Sequence, residues 1–190
     1  EDVELVIPDV FNKRYSYGGG KLISELVCLN YYRDFFKKMI IFRPHNVYGP
    51  DMGDEHVIPQ LIYKSYKAKQ EGKDFLEIKG NGKQTRTFIH INDFTDCLIK
   101  ILNFGEDRNI YHVGNTDEIS IEDLLKEIHY ILKLKLSIKR SKNPLGETLR
   151  RCPDNKKIKL LGYRQKMKIK DGLNDVVLWY MKHYFNKEIK

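Results

Sequence analysis

Lys38-Met39-Ile40-Ile41-Phe42-Arg43-Pro44-His45-Asn46-Val47-Tyr48-Gly49-Pro50 is the segment from which the architecture of this chain can be read. Lys38 to Phe42 is a short apolar run of strand length, and Arg43-Pro44 ends it. In parallel α/β sheets, ligands bind beyond the carboxyl ends of the strands, which is where His45 to Pro50 falls. Asn46 offers both a donor and an acceptor to a phosphate or an amide, and Gly49-Pro50 forces a turn. The bland alternative is a plain structural turn. A lone His45 is more often a hydrogen-bonded loop histidine than a catalyst.

Upstream, residues 1–16 read as a loop and a helix starts around Tyr17, with Leu22, Leu26 and Leu29 spaced to line one face. Downstream, a helix is expected from Ile58 to about Gln70, with Pro59 in its first turn. Gly80-Asn81-Gly82 is a turn signal, Thr87 to Ile91 a short strand, and Asp93 the N-cap of a helix Phe94 to Leu102. Ile110 to Val113 is another strand, and Ser120 with Asp123 resembles a capping box opening a helix through Leu132. Gly172 to Tyr184 carries Leu173, Val176, Val177 and Tyr180 at helical spacing. Strands alternating with helices make the class α/β. The strands are too few for a complete doubly wound sheet, so a truncated one is expected.

The 190 residues are 41% hydrophobic and 12% aromatic, enough for a sizeable core and against disorder. No stretch reaches the roughly 20 apolar residues of a membrane helix, and Glu1-Asp2-Val3-Glu4 is no basic leader, so the expectation is a cytoplasmic protein with no membrane partner. Lys and Arg number 34 against 26 Asp and Glu, a net charge of +8 that favours anionic partners. Much of the excess lies in Lys133, Lys135, Lys139, Arg140, Lys142 and the run Arg150 to Lys170, read blandly as a solvated face. Those lysines lack interleaved aromatics or a reading helix, so nucleic acid is not the expected partner. Cys28, Cys97 and Cys152 show neither a disulfide framework nor zinc spacing, and no metal is expected.

Tyr17-Gly18-Gly19-Gly20-Lys21 places a phenol and an ammonium four apart, on one helix face. A nearby lysine favours phenolate, a sensible way to make a general acid/base. On spacing alone an ordinary tyrosine and lysine is the commoner reading, since such spacing is frequent. Each glycine, however, costs a helix interior about 1 kcal/mol, which suggests close approach of another backbone or a ligand. A phosphate loop is disfavoured, because no strand precedes the glycines and G-x-x-x-x-G-K is absent. Gly80-Asn81-Gly82-Lys83-Gln84-Thr85-Arg86-Thr87-Phe88 puts an arginine beside a glycine turn, as either a diphosphate clamp or a surface residue on a hairpin. Arg150, Arg151 and Asp154 offer phosphate and ribose contacts, or a surface ion pair.

In this order, the segments resemble the extended short-chain dehydrogenase/reductase family, specifically its NAD-dependent nucleotide-sugar epimerases, dehydratases and decarboxylases. The likeness runs from about Asn12 to Tyr180: Tyr17-x-x-x-Lys21, Arg43 to Pro50, Gly80 to Phe88 with Asp93, and Arg151-Cys152-Pro153-Asp154 followed by Leu160-Leu161-Gly162-Tyr163. The resemblance implies a partial Rossmann fold, a doubly wound parallel sheet lacking its first half, with a smaller α/β substrate-binding region. It implies that residues 1–50 and 87–115 belong to the NAD-binding domain, with 51–86 and 116–190 binding substrate. By the same likeness, Tyr17 is the acid/base and Lys21 holds the nicotinamide ribose. Pro44 and His45 line the nicotinamide site, mostly through backbone. Asn46, Arg86 and Arg151 bind the substrate diphosphate, Asp154 and Gln84 reach the nucleoside, and Val57, Ile58 and Leu61 shape the nucleotide pocket. The implied reaction is oxidation at the sugar C4 with NAD, of the UDP-sugar 4-epimerase kind, with decarboxylase, dehydratase or a non-catalytic binder as alternatives. The implied full-length form is a homodimer. The family's glycine-rich dinucleotide loop has no counterpart in these 190 residues, so the isolated chain is expected to bind NAD weakly and to be inactive.

Overall fold

The computed structural model describes residues 6–7, 9–141 and 148–185; Lys142 lies outside them. The chain opens with helix α1 (Arg14–Tyr31) and a 3-10 turn (Tyr32–Asp34), then strands β1 (Ile40–Pro44) and β2 (Val47–Tyr48). There follow α2 (Val57–Gln70), β3 (Phe75–Ile78), β4 (Thr85–Thr87), β5 (Ile89–His90), α3 (Ile91–Phe104) and β6 (Asn109–Val113). The second half holds β7 (Glu118–Ser120), α4 (Ile121–Ile131), β8 (Ser137–Arg140), β9 (Arg150–Arg151), α5 (Lys156–Leu160), α6 (Ile169–Tyr180) and a π turn (Met181–Phe185).

Parallel pairing dominates, and the α/β class expected from the sequence is the one observed. β1 runs parallel to β6, β2 to β5, and β3 to β8, while β4 lies between antiparallel β7 and parallel β9. Parallel neighbours need long crossovers, which is why each pair joins segments far apart in sequence. Two apolar cores result. The larger packs Ile58, Leu61 and Ile62 of α2 against Leu124, Leu125 and Ile128 of α4 and Leu173, Val176 and Val177 of α6. The smaller gathers Ile89, Cys97, Ile101, Tyr111 and Val113 with Ile158 and Tyr163, drawing the segment around α5 onto the β1–β6 side.

Several local expectations are corrected. α1 begins at Arg14, one turn before Tyr17, and its half-buried positions are Tyr15, Leu22, Glu25 and Leu29, whereas Leu26 is 54% exposed. Thr87 to Ile91 is not one strand: the ladder breaks at Phe88, whose carbonyl accepts from Asn115 Nδ2 at 3.1 Å. Asp93 is not the N-cap of α3. His90 caps it, its Nδ1 accepting from the Asn92 amide at 3.3 Å. Asp93 sits inside the first turn, buried, where its carboxylate accepts from the amides of Lys166 and Met167 at 3.1 Å each. Those two distant amides outweigh a local cap, because a buried carboxylate must have its lone pairs satisfied. Helix α6 starts at Ile169 rather than Gly172. The capping arrangement at α4 is as expected: Ser120 Oγ accepts from the Asp123 amide at 3.0 Å and donates to its carboxylate at 2.7 Å.

Candidate functional site

Asn46 links the β1 strand end to a cavity. It holds a positive φ of 42°, a left-handed conformation that asparagine tolerates better than most residues, and it turns the chain between β1 and β2. Its side-chain amide donates to the Thr87 carbonyl at 2.8 Å, and its own carbonyl accepts from the Ile89 amide at 3.3 Å. The side chain is therefore engaged in joining β2 to β4, and the loop it anchors forms one wall of a cavity of about 330 Å³.

The cavity lies between the start of α2, the end of β3, and the β4–β9 pair. Val57, Gln60, Leu61 and Lys64 line it at helical spacing along one face of α2, while Ile58 is fully buried behind them. Arg86 and Arg151 are far apart in sequence, yet they are register partners in the parallel β4–β9 ladder, and both line the cavity. Alternation along β9 sends the neighbouring Arg150 elsewhere: it grips the Glu118 carboxylate of β7 at 2.7 Å. Arg86 also donates to the Thr85 carbonyl at 2.7 Å, which steadies its guanidinium. Among the described residues, Arg151 has no acidic partner. Gln84 is buried at the cavity wall and donates to the Lys79 carbonyl at 3.3 Å. Lys64, Lys79, Arg86 and Arg151 face Glu55 and Glu77, so the lining carries more positive than negative charge.

Asn46, Val57, Leu61, Gln84, Arg86 and Arg151, all expected to bind substrate, thus share this cavity. Asp154 is not among its lining residues. It accepts from the Lys156 amide at 2.9 Å and pairs with the Lys156 ammonium at 3.2 Å, opening α5, and those contacts hold its carboxyl below the usual range. Lys64, Lys79, Glu77 and His56 line the cavity without having been expected there. The helical spacing from Val57 and Leu61 carries a signal for Lys64, whereas Lys79 and Glu77 depend on where β3 lies.

Tyr17 and Lys21 stand apart from the cavity lining, on α1. Tyr17 is 75% exposed, and the Lys21 ammonium lies 5.4 Å from the centre of its ring. Of the three glycines between them, Gly19 is packed, its missing Cβ position being 3.2 Å from Ile7 Cδ1, whereas Gly18 and Gly20 face open space. Pro44, at the end of β1, is exposed. His45 is half-buried and continues the β1–β6 ladder, its amide donating to the Val113 carbonyl at 3.0 Å. Its Nε2 meets His112 Nδ1 at 2.7 Å, so the two rings share one proton between them. Burial first, and then the charges of His112 and Arg43, push the His45 pKa down to about 4, which keeps it neutral. Arg43 turns the other way and forms a bidentate pair with Glu25 of α1, at 2.8 and 2.5 Å. This pair fastens the tyrosine-bearing helix to the strand end.

A parallel α/β protein with a cationic cleft beside its strand ends belongs to the broad class whose clefts accept anionic ligands. The comparison with known families narrows this: the chain belongs to the NAD dependent epimerase/dehydratase family, whose profile matches residues 2–114. The human dTDP-D-glucose 4,6-dehydratase is 29% identical over 178 residues, 90% of this chain and 49% of that protein. The UDP-glucuronic acid decarboxylase 3 of Arabidopsis thaliana is also 29% identical, over 163 residues, 84% of this chain and 46% of that protein. A solved variant of UDP-glucuronic acid 4-epimerase from Bacillus cereus, in complex with UDP-4-deoxy-4-fluoro-glucuronic acid and NAD, superposes with a TM-score of 0.77 at 26% identity. That superposition covers 97% of this chain and 58% of the other. The chain spans about half the length of the curated relatives it matches.

Proposed function

We propose that this chain carries the substrate pocket and the acid/base helix of an NAD-dependent nucleotide-sugar epimerase or dehydratase. One observation carries the reading: Arg86 and Arg151 meet in register on β4 and β9 beside the first turn of α2, in one net-cationic cavity. Two guanidinium groups side by side suit a diphosphate, whose oxygens accept paired, charge-assisted hydrogen bonds. Leu61, Val57 and Phe88 supply apolar wall for a nucleoside. In this reading residues 51–86 and 116–190 bind substrate, while 1–50 and 87–115 belong with the cofactor.

The open surface beside Gly18 and Gly20 leaves room for a large cofactor next to Tyr17 and Lys21, so the residues present fit NAD on that side. When bound, NAD supplies the hydride acceptor for oxidation of the sugar. Tyr17 takes the hydroxyl proton as general base, Lys21 fixes the cofactor ribose, and the backbone at Pro44 and His45 flanks the nicotinamide. The neutral, hydrogen-bonded His45 ring holds that backbone in place. Within the reading, a UDP-sugar 4-epimerase is one outcome, and a dehydratase or a decarboxylase is another; relatives named for all three chemistries share this stretch. A homodimer and a cytoplasmic setting complete the proposal.

The test is calorimetric titration of the chain with nucleoside diphosphates. Binding is expected, and Arg151→Gln should weaken it about 10- to 100-fold, the worth of charge-assisted hydrogen bonds to phosphate. Unchanged affinity in that variant would remove the diphosphate from this cavity.

A further inference from the structure

The paired arginines leave the base of the nucleotide open, and β3 bears on it. Burial along this strand and just past its end alternates: Leu76 and Ile78 are buried, while Glu77 and Lys79 are exposed and line the cavity that Arg86 and Arg151 share. Residues two apart in extended chain point the same way, roughly 6 to 7 Å from one another. Among the described residues, neither Glu77 nor Lys79 takes part in an ion pair. A carboxylate and an ammonium are thus presented together to whatever occupies this end of the cavity.

We infer that Glu77 and Lys79 select guanine, so that the substrate is a guanosine diphosphate sugar; this rests on the nucleotide-sugar reading of the cavity. Guanine presents N1–H and the N2 amino group side by side, two donors for a single carboxylate, with the O6 acceptor next to them for an ammonium. Uracil and thymine present one N–H between two carbonyl oxygens, so a carboxylate placed on the N–H is repelled from both sides. Cytosine and adenine offer one exocyclic amino group next to a ring-nitrogen acceptor, which gives a carboxylate a single donor site. Only the guanine edge satisfies both oxygens of Glu77 while leaving an acceptor for Lys79. A site whose polar groups would otherwise be left unpaired discriminates strongly against ligands that cannot pair them.

The experiment is titration of the chain with GDP, UDP, dTDP and CDP, followed by the same set for Glu77→Gln, Glu71→Gln and Arg86→Gln, with circular dichroism confirming that each is folded. GDP is expected to bind about tenfold or more tightly than the others, the discrimination typical of a bidentate contact to a base. Glu77→Gln should remove most of that preference, weakening GDP while relieving the repulsion of UDP, Glu71→Gln outside the cavity should leave it intact, and Arg86→Gln should weaken all four alike. Equal or tighter binding of UDP, dTDP or CDP, or a uniform loss in Glu77→Gln, overturns the guanine assignment and leaves the diphosphate cavity standing. Failure of all four to bind overturns both.

Discussion

Helix α1 and the cavity-forming half of the chain differ in how their apolar residues are covered. In α4 and α6, Leu124, Leu125, Ile128, Leu173, Val176 and Val177 are fully buried, and they close a core with α2. On α1, Ile23, Leu26, Val27 and Tyr31 are all more than half exposed, as are Phe35 and Phe36 just beyond it. The cavity therefore rests on a core the chain supplies for itself. The helix with Tyr17 and Lys21 is held by the Glu25–Arg43 pair and, just past its end, by Tyr32 and Arg33 on Asp107, and it offers an apolar face of the kind that marks an interaction surface. In the proposed reading, binding and chemistry would thus rest on supports of different completeness and should fail independently.

The largest expected effect breaks chemistry without touching binding. In an active NAD-dependent enzyme that carries this stretch, Tyr17→Phe should lower turnover on the order of 100- to 10,000-fold, the usual contribution of a general acid–base group. Nucleoside diphosphate affinity should stay unchanged, because Tyr17 does not line the cavity. A loss of less than about tenfold in kcat would reduce Tyr17 to a surface residue on a glycine-rich helix.

A smaller effect probes the contrast in packing. Leu125→Ala should cost about 2 to 5 kcal/mol in urea unfolding, by removing a buried side chain and leaving a cavity. Leu26→Ala on the exposed face of α1 should stay within about 0.5 kcal/mol. Comparable losses at both positions would mean that α1 is covered in solution, and the contrast between the two regions would disappear.

The smallest effect is a pH dependence at α1. The hydrogen bond from Arg43, the largest influence, holds the Glu25 carboxyl below its ordinary value of 4.5, with burial opposing it. A carboxyl lowered in the folded state stabilises fully above its unfolded value, and that stabilisation fades as pH falls through the lowered one. The Glu122 and Asp123 carboxyls of α4 are lowered too, but α4 and α6 rest on the apolar core, so amide exchange along α1 should accelerate first below about pH 4.5, and Glu25→Gln should abolish the difference. Equal acceleration in all three helices would assign the loss to global acid unfolding.

Local patterning makes much of this fold legible. The apolar run before Arg43, the helical spacing in α4 and α6, and the Ser120 cap with Asp123 can all be read because each depends on residues within one or two turns. The motif order from Tyr17 to Gly162 is likewise enough to suggest the family. Other features are illegible because they depend on distant partners. Asp93 resembles an N-cap until the amides of Lys166 and Met167 reach it, and Thr87 to Ile91 resembles one strand until Asn46 and Asn115 take its carbonyls.

Sequence was sufficient for the α/β class, for the helices that build the larger core, and for the residue types able to bind a diphosphate and move a proton. Which of those residues meet was settled only in three dimensions. Strand pairing put Arg86 beside Arg151 and sent Arg150 to Glu118, Asp154 was left to open α5, and Glu77 and Lys79 came to the cavity wall. The reason is physical. Periodicity fixes the face a side chain takes on its own helix or strand, whereas strand register between distant segments fixes which faces come together.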